Sequence, residues 1–273
     1  MERISDSVYA ETGFRGCNPG FVVTGEGVVM IDTPQMPGDA LNWQTEIAKH
    51  GTVLYLINTE PHGDHFTGNC FFDGTVVAHE GTRDAILAAA ANVQQVKDRL
   101  AEAFPDLSSK LERFDYRPPT ITFSERMTLY VGDHTFHLIH MPGHTPYQVA
   151  VFIPEERVVF TSDNIFCRVQ SFLQQALPYE WLDSLTQLEQ LDADVLVPGH
   201  GAVCDRSYIP EMRSIIQSWI DAVKRAIADG LTVEEAQDRL TNIDPYTVES
   251  GIEEFSRQLP RINVARLYQV LKE

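Results

Sequence analysis

Three predicted strands in this 273-residue chain each lead directly into a loop that carries histidine. The strands are Val53–Asn58, Thr135–His140 and Val195–Val197, and the loops read Glu-Pro-His-Gly-Asp-His, Pro-Gly-His and Pro-Gly-His. Val53–Asn58 is a continuous apolar run, which is typical of a strand buried on both faces. In α/β proteins the loops at strand ends form the functional site. The chain is therefore constrained to a fold that brings several strand ends together.

The first of these loops places four candidate metal ligands within six residues: Glu60, His62, Asp64 and His65. Imidazole and carboxylate groups are ligands of zinc, iron and manganese. Asp163 follows a further predicted strand, Val158–Thr161, and adds another carboxylate. With the two Pro-Gly-His loops, the donors come from four separate places in the sequence. That distribution predicts a dinuclear metal site.

The predicted strands occur in two groups, each followed by a predicted helix, which indicates the α/β class. Between the groups, apolar residues recur every three or four positions from 82 to 104 and predict one amphipathic helix. After Cys204 the strands stop and helical patterns follow, one of them opened by a Thr232–Glu235 capping box. We therefore expect a catalytic domain over residues 1–205, with a helical insertion at about 82–120, and a helical extension over 206–273 packed on the same domain.

The chain is strongly acidic, with 39 Asp and Glu against 21 Lys and Arg and a formal net charge of −18. Nucleic acids and anionic membrane surfaces are normally bound through basic patches, so neither is expected as a partner. The four cysteines lie far apart, and the N-terminus lacks the basic and apolar segments of a signal peptide. These features favour a cytoplasmic protein that acts on a small molecule.

The ordered set of candidate sites resembles that of the metallo-β-lactamase fold superfamily. The set runs from Asp32, after the strand Val28–Ile31, through the 60–65 loop to the two Pro-Gly-His loops, with Asp163 between them. The resemblance covers about residues 8–205. It implies an α/β fold of the four-layer αββα type, with the metals at one edge between the two sheets.

The resemblance also implies a role for each candidate residue, although the chain departs from the family motif H-x-H-x-D-H at one position. Glu60 stands where the family has the first histidine. The first metal would be bound by Glu60, His62 and His144, and the second by Asp64, His65 and His200, with Asp163 as the bridging carboxylate. Asp32 corresponds to an acid that orients the ligand loop.

Glu60 bears on the identity of the metal. Two divalent ions are implied, and zinc is the expected metal. A carboxylate brings negative charge and a hard oxygen, so relative to imidazole it favours iron or manganese over zinc. In the alternative arrangement Glu60 points away from the site, and the first metal site is then weak or empty.

The chemistry implied by the resemblance is hydrolysis by a water molecule activated between two metals, with Asp64 and Asp32 as catalytic carboxylates. The implied substrates are ester-, lactone-, thioester- or amide-like small molecules. Two other functions stay open: an iron-dependent oxidoreductase and a non-catalytic binding protein with a degenerate site. The segments Ala85–Thr120 and Phe166–Tyr179 either form an apolar wall for the substrate, or pack the two halves together or form a homodimer contact.

Overall fold

The computed structural model describes residues 1–112 and 114–272, so Arg113 in the predicted insertion and Glu273 in the predicted extension lie outside the described residues. Within these ranges the strands form two sheets. The first sheet contains, in spatial order, β1 Glu2–Arg3, β2 Val8–Ala10, β3 Gly20–Val23, β4 Val28–Ile31, β5 Val53–Asn58, β6 Thr75–His79 and β7 Ile121–Phe123. The second contains β8 Arg126–Val131, β9 His134–His140, β10 Val149–Ile153, β11 Val158–Cys167, β12 Val195–Gly201 and β13 Cys204–Asp205, again in the order of the sequence.

Helices surround the two sheets. They are α1 Pro37–Ile47, α2 Gly63–Phe66, α3 Glu80–Ala90, α4 Val93–Ala103, α5 Ser108–Leu111, α6 Pro178–Gln190, α7 Ile209–Ala228, α8 Val233–Arg239 and α9 Leu259–Lys272. Helix α8 begins at the predicted capping box, in which the Thr232 side chain accepts from the backbone of Glu235 and the Glu235 side chain accepts from the backbone of Thr232. No helix in the described ranges is long and apolar enough to cross a membrane.

Apolar clusters hold the layers together. One cluster lies between the sheets and joins side chains such as Ile57 of β5 and Phe136 of β9. A second packs α1, through Trp43, on the outer face of the first sheet. A third packs α6, α7 and α9 against the second sheet and includes the fully buried Trp181 and Trp219. The order helix, sheet, sheet, helix confirms the predicted four-layer αββα fold.

The helices that follow residue 205 pack on the second sheet. Helix α7 contacts α6, α9 and β11, and α8 contacts α9. Asn263 of α9 is completely buried, accepts from the Leu173 backbone N–H at 2.8 Å and donates to the Ser171 carbonyl at 2.8 Å. Helix α9 is thereby joined to the loop that follows β11. The division of the chain at residue 205 stays a prediction.

Three predicted elements differ from the structure. The strand predicted over Val195–Val197 continues to Gly201 as β12, so Pro198-Gly199-His200 lies within the strand and not in a loop after it. The single helix predicted over 82–104 is wrong, because α3 ends at Ala90 and α4 begins at Val93. Asn92 precedes α4 with φ −112° and ψ 13°, outside the helical region, and asparagine side chains compete with helical backbone bonding. The strand predicted to end at Thr161 is longer, since β11 continues to Cys167. Its pairing with β12 contains register shifts, so the strand continues irregularly rather than ending.

Candidate metal centre

The predicted ligands lie at one edge of the sandwich, where strands of both sheets end. In the first sheet Asp32 follows β4, and Glu60 lies two residues after β5. In the second sheet His144 lies between β9 and β10, and His200 lies near the end of β12. Asp163 does not follow a strand, as the sequence predicts, but lies inside β11 among the register shifts. Irregularities of this kind redirect side chains next to functional sites.

One group of side chains brings together Glu60, His62, His144 and Asp163. His144 Nε2 lies 3.1 Å from His62 Nδ1 and 3.4 Å from Asp163 Oδ2. Glu60 is completely buried, and its Oε1 lies 2.8 Å from His62 Nδ1. Glu60 therefore points into the site, and the alternative in which it points away is wrong.

A second group brings together Asp64, His65 and His200. His200 Nε2 lies 3.3 Å from Asp64 Oδ2 and 3.3 Å from Asp163 Oδ2. His65 Nε2 lies 3.2 Å from Asp163 Oδ1, so the Asp163 carboxylate contacts histidines of both groups. The two groups, with Asp163 between them, contain the same residues as the two ligand sets that the resemblance implies. Ligation itself stays a prediction.

The nitrogen and oxygen atoms of this site are arranged for binding metal ions rather than for hydrogen bonding to one another. Among the described residues, both carboxylate oxygens of Glu60, Nε2 of His62 and His65, and Oδ1 of Asp163 are buried without a well-directed hydrogen bond, although Glu60 Oε1 lies 2.8 Å from His62 Nδ1 and Asp163 Oδ1 lies 3.2 Å from His65 Nε2. Such atoms are normally paired, so unpaired donors that converge call for a ligand. Ligand atoms around a tetrahedral zinc with bonds of about 2.0 Å lie about 3.3 Å apart. The separations between candidate ligand atoms run from 2.8 to 3.9 Å, and several of them, at 3.1, 3.2, 3.3 and 3.4 Å, match that spacing.

The electrostatics of the site favour positive charge. Burial lowers the pKa of His62, but attraction to Glu60 and Asp64 outweighs burial and raises that pKa to about 9. Burial also opposes the charged forms of His200 and Asp163. Their mutual attraction nevertheless holds the pKa of His200 well above its usual range and the pKa of Asp163 well below. The carboxylates thus hold protons on these histidines, and a divalent cation can take the place of those protons.

Asp32 occupies the orienting position that the resemblance implies. Its Oδ2 lies 2.9 Å from His65 Nδ1. The same carboxylate accepts from the Thr59 backbone N–H at 2.8 Å and from the Thr59 hydroxyl at 2.5 Å. With Nδ1 bonded to Asp32, His65 turns Nε2 toward Asp163. A carboxylate that holds the far nitrogen of a histidine is typical of metal sites.

Two further candidate ligand histidines are also held through Nδ1, and neither contact is predicted from the sequence. His144 Nδ1 donates to the Phe172 carbonyl at 2.7 Å. His200 Nδ1 lies 2.9 Å from Glu249 Oε2. Glu249 lies in the segment between α8 and α9 and matches no local motif, so no signal in the sequence points to it. The Phe172 contact uses a backbone carbonyl, which any residue type provides.

The glycines of the two Pro-Gly-His sequences, one after β9 and one within β12, allow close packing against the site. A Cβ atom at Gly199 would lie 1.8 Å from Asp163 Oδ1 and 2.8 Å from the Asp163 backbone nitrogen. A Cβ atom at Gly143 would lie 2.3 Å from Asn164 Oδ1 and 2.9 Å from the Trp181 ring. All four distances are too short for a side chain. Glycine is therefore needed here because the backbone approaches β11 and α6 closely.

We expect Gly199→Ala to weaken metal binding by at least about 10-fold, because the methyl group displaces the Asp163 carboxylate. Gly38→Ala is the matched control, since a Cβ atom at Gly38 has no neighbour within 4 Å. Affinity is measured by competition with a chromophoric chelator for both variants and the wild type. Wild-type affinity in folded Gly199→Ala protein would contradict the role given to this close contact.

A cavity of about 330 Å³ opens onto the two groups. Its base carries side chains of both groups, and its walls include Arg15, Gln35, Phe172, Gln174, Glu249, Ile252 and Phe255. Of the two segments considered as walls, Phe166–Tyr179 contributes Phe172 and Gln174. No described residue of Ala85–Thr120 lines the cavity. That segment packs elsewhere, for example through Tyr116 against Phe66.

The chain matches the family model of the metallo-beta-lactamase superfamily over residues 12–200. The match includes every residue of the two groups and Asp32. The protein therefore belongs to the metallo-beta-lactamase superfamily, as the order of its sites predicts.

Among curated proteins, the alpha subunit of 2,4-dinitroanisole O-demethylase from a Nocardioides species is 25% identical over 254 residues, or 90% of this chain and 70% of that subunit. Hydroxyacylglutathione hydrolase from Erythrobacter litoralis is 26% identical over 61% of this chain and 55% of its own length. The chain also spans less than two thirds of two further relatives, 65% and 63% of their lengths.

Among solved structures, a metallo-beta-lactamase family protein from Thermus thermophilus superposes with a TM-score of 0.72 at 19% identity. The superposition covers 99% of this chain and 94% of that one. It therefore includes the helices after residue 205 as well as the sandwich. This likeness shows a shared fold.

Proposed function

We propose that the protein is a metal-dependent hydrolase that cleaves an ester-, lactone-, thioester- or amide-like bond in a small molecule. The observation that carries this proposal is the cluster of buried ligand atoms without well-directed hydrogen bonds, which adjoins a cavity lined by His62 and Asp163. Hydrolysis is supported by relatives in the superfamily, among them the hydroxyacylglutathione hydrolase. The 2,4-dinitroanisole O-demethylase relative adds the aryl methyl ether as a further bond to test.

When bound, two divalent ions activate a water molecule and polarise the bond to be cleaved. Glu60, His62 and His144 would hold one ion, Asp64, His65 and His200 the other, and Asp163 would contact both. Asp32 keeps His65 in the orientation that turns Nε2 to the site.

Asp64 differs from the other carboxylates of the site in its exposure. Its side chain is 21% exposed at the cavity, whereas that of Asp163, which also lines the cavity, is 4% exposed and that of Glu60 is 0% exposed. A carboxylate at the cavity surface can accept a hydrogen bond from an entering water molecule and orient it toward the substrate. Asp64 is therefore the residue that we assign to positioning the nucleophile.

The cavity supports a small, partly apolar substrate. Phe172, Ile252 and Phe255 supply apolar wall surface, and Arg15 lies at the same cavity in an ion pair with Glu254 at 3.0 Å. A volume of about 330 Å³ suits a small molecule. The net charge of −18 makes nucleic acid and anionic membrane surfaces unfavourable partners and, with the scattered cysteines, supports a cytoplasmic location.

Zinc-loaded protein is expected to hydrolyse at least one member of a panel of nitrophenyl esters, lactones, thioesters, anilides and aryl methyl ethers. Chelation should abolish this activity and added zinc should restore it. Because the attacking water must lose a proton, kcat/KM is expected to rise with pH through an apparent pKa of about 7 or slightly above. Activity that survives complete removal of metal, or a flat profile from about pH 6 to 9 while chemistry limits the rate, would contradict the proposal.

A further inference from the structure

A segment outside the family match reaches the metal centre. The match to the superfamily model ends at residue 200, and the segment between α8 and α9 covers residues 240–258. Within it, Glu249 places Oε2 at 2.9 Å from His200 Nδ1 and Oε1 at 3.4 Å from the Gly201 backbone N–H. Both oxygens of this carboxylate are thus engaged with the end of β12. Glu249 contacts the far side of a ligand histidine rather than the space between the two groups.

The segment is anchored on both sides of Glu249. Before it, the Ser171 backbone N–H donates to Asp244 Oδ2 at 2.9 Å, and the Gln170 backbone N–H donates to the Thr247 carbonyl at 2.8 Å. After it, Arg15 pairs with Glu254 at 3.0 Å. The position of the Glu249 carboxylate is therefore held by bonds that do not depend on His200.

The contact has the geometry that a metal-binding histidine needs. Only one ring nitrogen of a neutral histidine carries a proton, and a carboxylate acceptor at Nδ1 places it there. Nε2 is then left with a free lone pair, and it lies 3.3 Å from both Asp64 Oδ2 and Asp163 Oδ2. Asp32 holds His65 in the same way at the same distance of 2.9 Å. The two histidines of the second group thus have equivalent carboxylate supports from opposite ends of the chain.

We propose that Glu249 is a positioning residue for the metal centre, which sets the proton and the orientation of His200. The C-terminal helical segment is then part of the functional site and not only a cover for the second sheet. This inference rests on the proposed metal-dependent function. The competing role is purely structural, in which Glu249 only fixes the segment over β12.

The test compares Glu249→Gln with Glu253→Gln in the 273-residue chain. Both variants remove one negative charge from the same segment, and the described contacts of the Glu253 side chain are to the Gly251 backbone N–H. Asp32→Asn serves as the reference for loss of a carboxylate support. Zinc affinity is measured by chelator competition, and the unfolding of the metal-free proteins is measured alongside.

We expect Glu249→Gln to lower zinc affinity by about 10–100-fold, as Asp32→Asn does, because outer carboxylates contribute that much to metal sites. The zinc affinity of Glu253→Gln should stay within about 2-fold of the wild-type value, since no residue of the two ligand groups loses a hydrogen-bond partner. In zinc-loaded protein, long-range ¹H–¹⁵N spectra should show a strongly hydrogen-bonded His200 Nδ1–H that is weakened in Glu249→Gln and retained in Glu253→Gln.

Wild-type zinc affinity and an unchanged His200 signal in Glu249→Gln would overturn the positioning role. An equal loss of affinity in Glu253→Gln would overturn it as well, because the cause would then be the segment or its charge. A wild-type protein that binds no zinc, iron or manganese would instead contradict the metal-dependent function and this role with it.

Discussion

Replacing His144 and His200 together with alanine is expected to abolish stoichiometric metal binding and to reduce hydrolysis to the background of the buffer. One histidine is removed from each donor group, and each also lies 3.3 or 3.4 Å from Asp163, which lies between the groups. The sandwich should remain folded, because its core is the apolar packing between sheets and helices. Loss of the buried His144 ring beside Phe166 and Trp181 should lower the free energy of unfolding by roughly 2–4 kcal/mol.

The measurement is metal bound per chain by elemental analysis after gel filtration, with circular dichroism to establish folding. A double variant at His50 and His137 is the matched control, because these histidines belong to neither donor group. It removes the same number of imidazoles and should keep the metal. If the His144 and His200 variant retained full metal content and turnover, the assignment of the site would be wrong.

Local sequence signals predict much of this fold. Apolar runs mark strands such as β4 and β5 within the bounds seen in the structure, and the Thr232–Glu235 pair marks the start of α8. The errors occur where long-range packing overrides the local pattern. The apolar periodicity over 82–104 continues through Asn92, although the chain leaves the helical conformation there. The continuation of β11 depends on irregular pairing with β12, which has no signature within β11 itself.

In the metal centre, too, the sequence predicts some residues and misses others. Residues 60–65 and Pro142-Gly143-His144 come shortly after strands, and Pro198-Gly199-His200 lies at the end of β12, so a sequence pattern places them at one edge of the sandwich. The supports of the histidines depend on contacts across the fold. Glu249 is 49 positions from His200 and the Phe172 carbonyl is 28 positions from His144. Nothing near Glu249 in sequence distinguishes it from the other acidic residues of a chain that contains 39 of them.

Glu60 is the one position at which this chain leaves the family motif, and the structure makes it the most informative position to change. Its side chain is completely buried, and among the described residues neither oxygen receives a well-directed hydrogen bond, although Oε1 lies 2.8 Å from His62 Nδ1. An ionised carboxylate in such a place is costly unless a cation compensates it. Its Oε1 lies 3.3 Å from His65 Nε2 and its Oε2 3.7 Å from His144 Nε2, so it faces both donor groups.

Glu60→Gln keeps the size of the side chain and one oxygen donor but removes the negative charge. We expect this change to lower the affinity of the first group for its metal ion. The loss should exceed the roughly 10–100-fold loss that changes outside the ligand shell cause. The second group, with Asp64, His65 and His200, should keep its ion. Glu60→His restores the family's ligand type and is expected to raise the share of zinc relative to iron or manganese, because imidazole is softer than carboxylate.

The histidine variant separates metal occupancy from activity. Histidine is shorter in reach than glutamate and bulkier near Cβ, so the 60–65 loop must adjust before a ring nitrogen takes the place of the Glu60 carboxylate. Zinc content can therefore rise while turnover does not. The measurement is the identity and number of metals per chain, by elemental analysis, for wild type, Glu60→Gln and Glu60→His grown under one set of conditions. Identical metal identity and stoichiometry in all three proteins would show that Glu60 is not a ligand, and a protonated His62 at 2.8 Å would then compensate its charge.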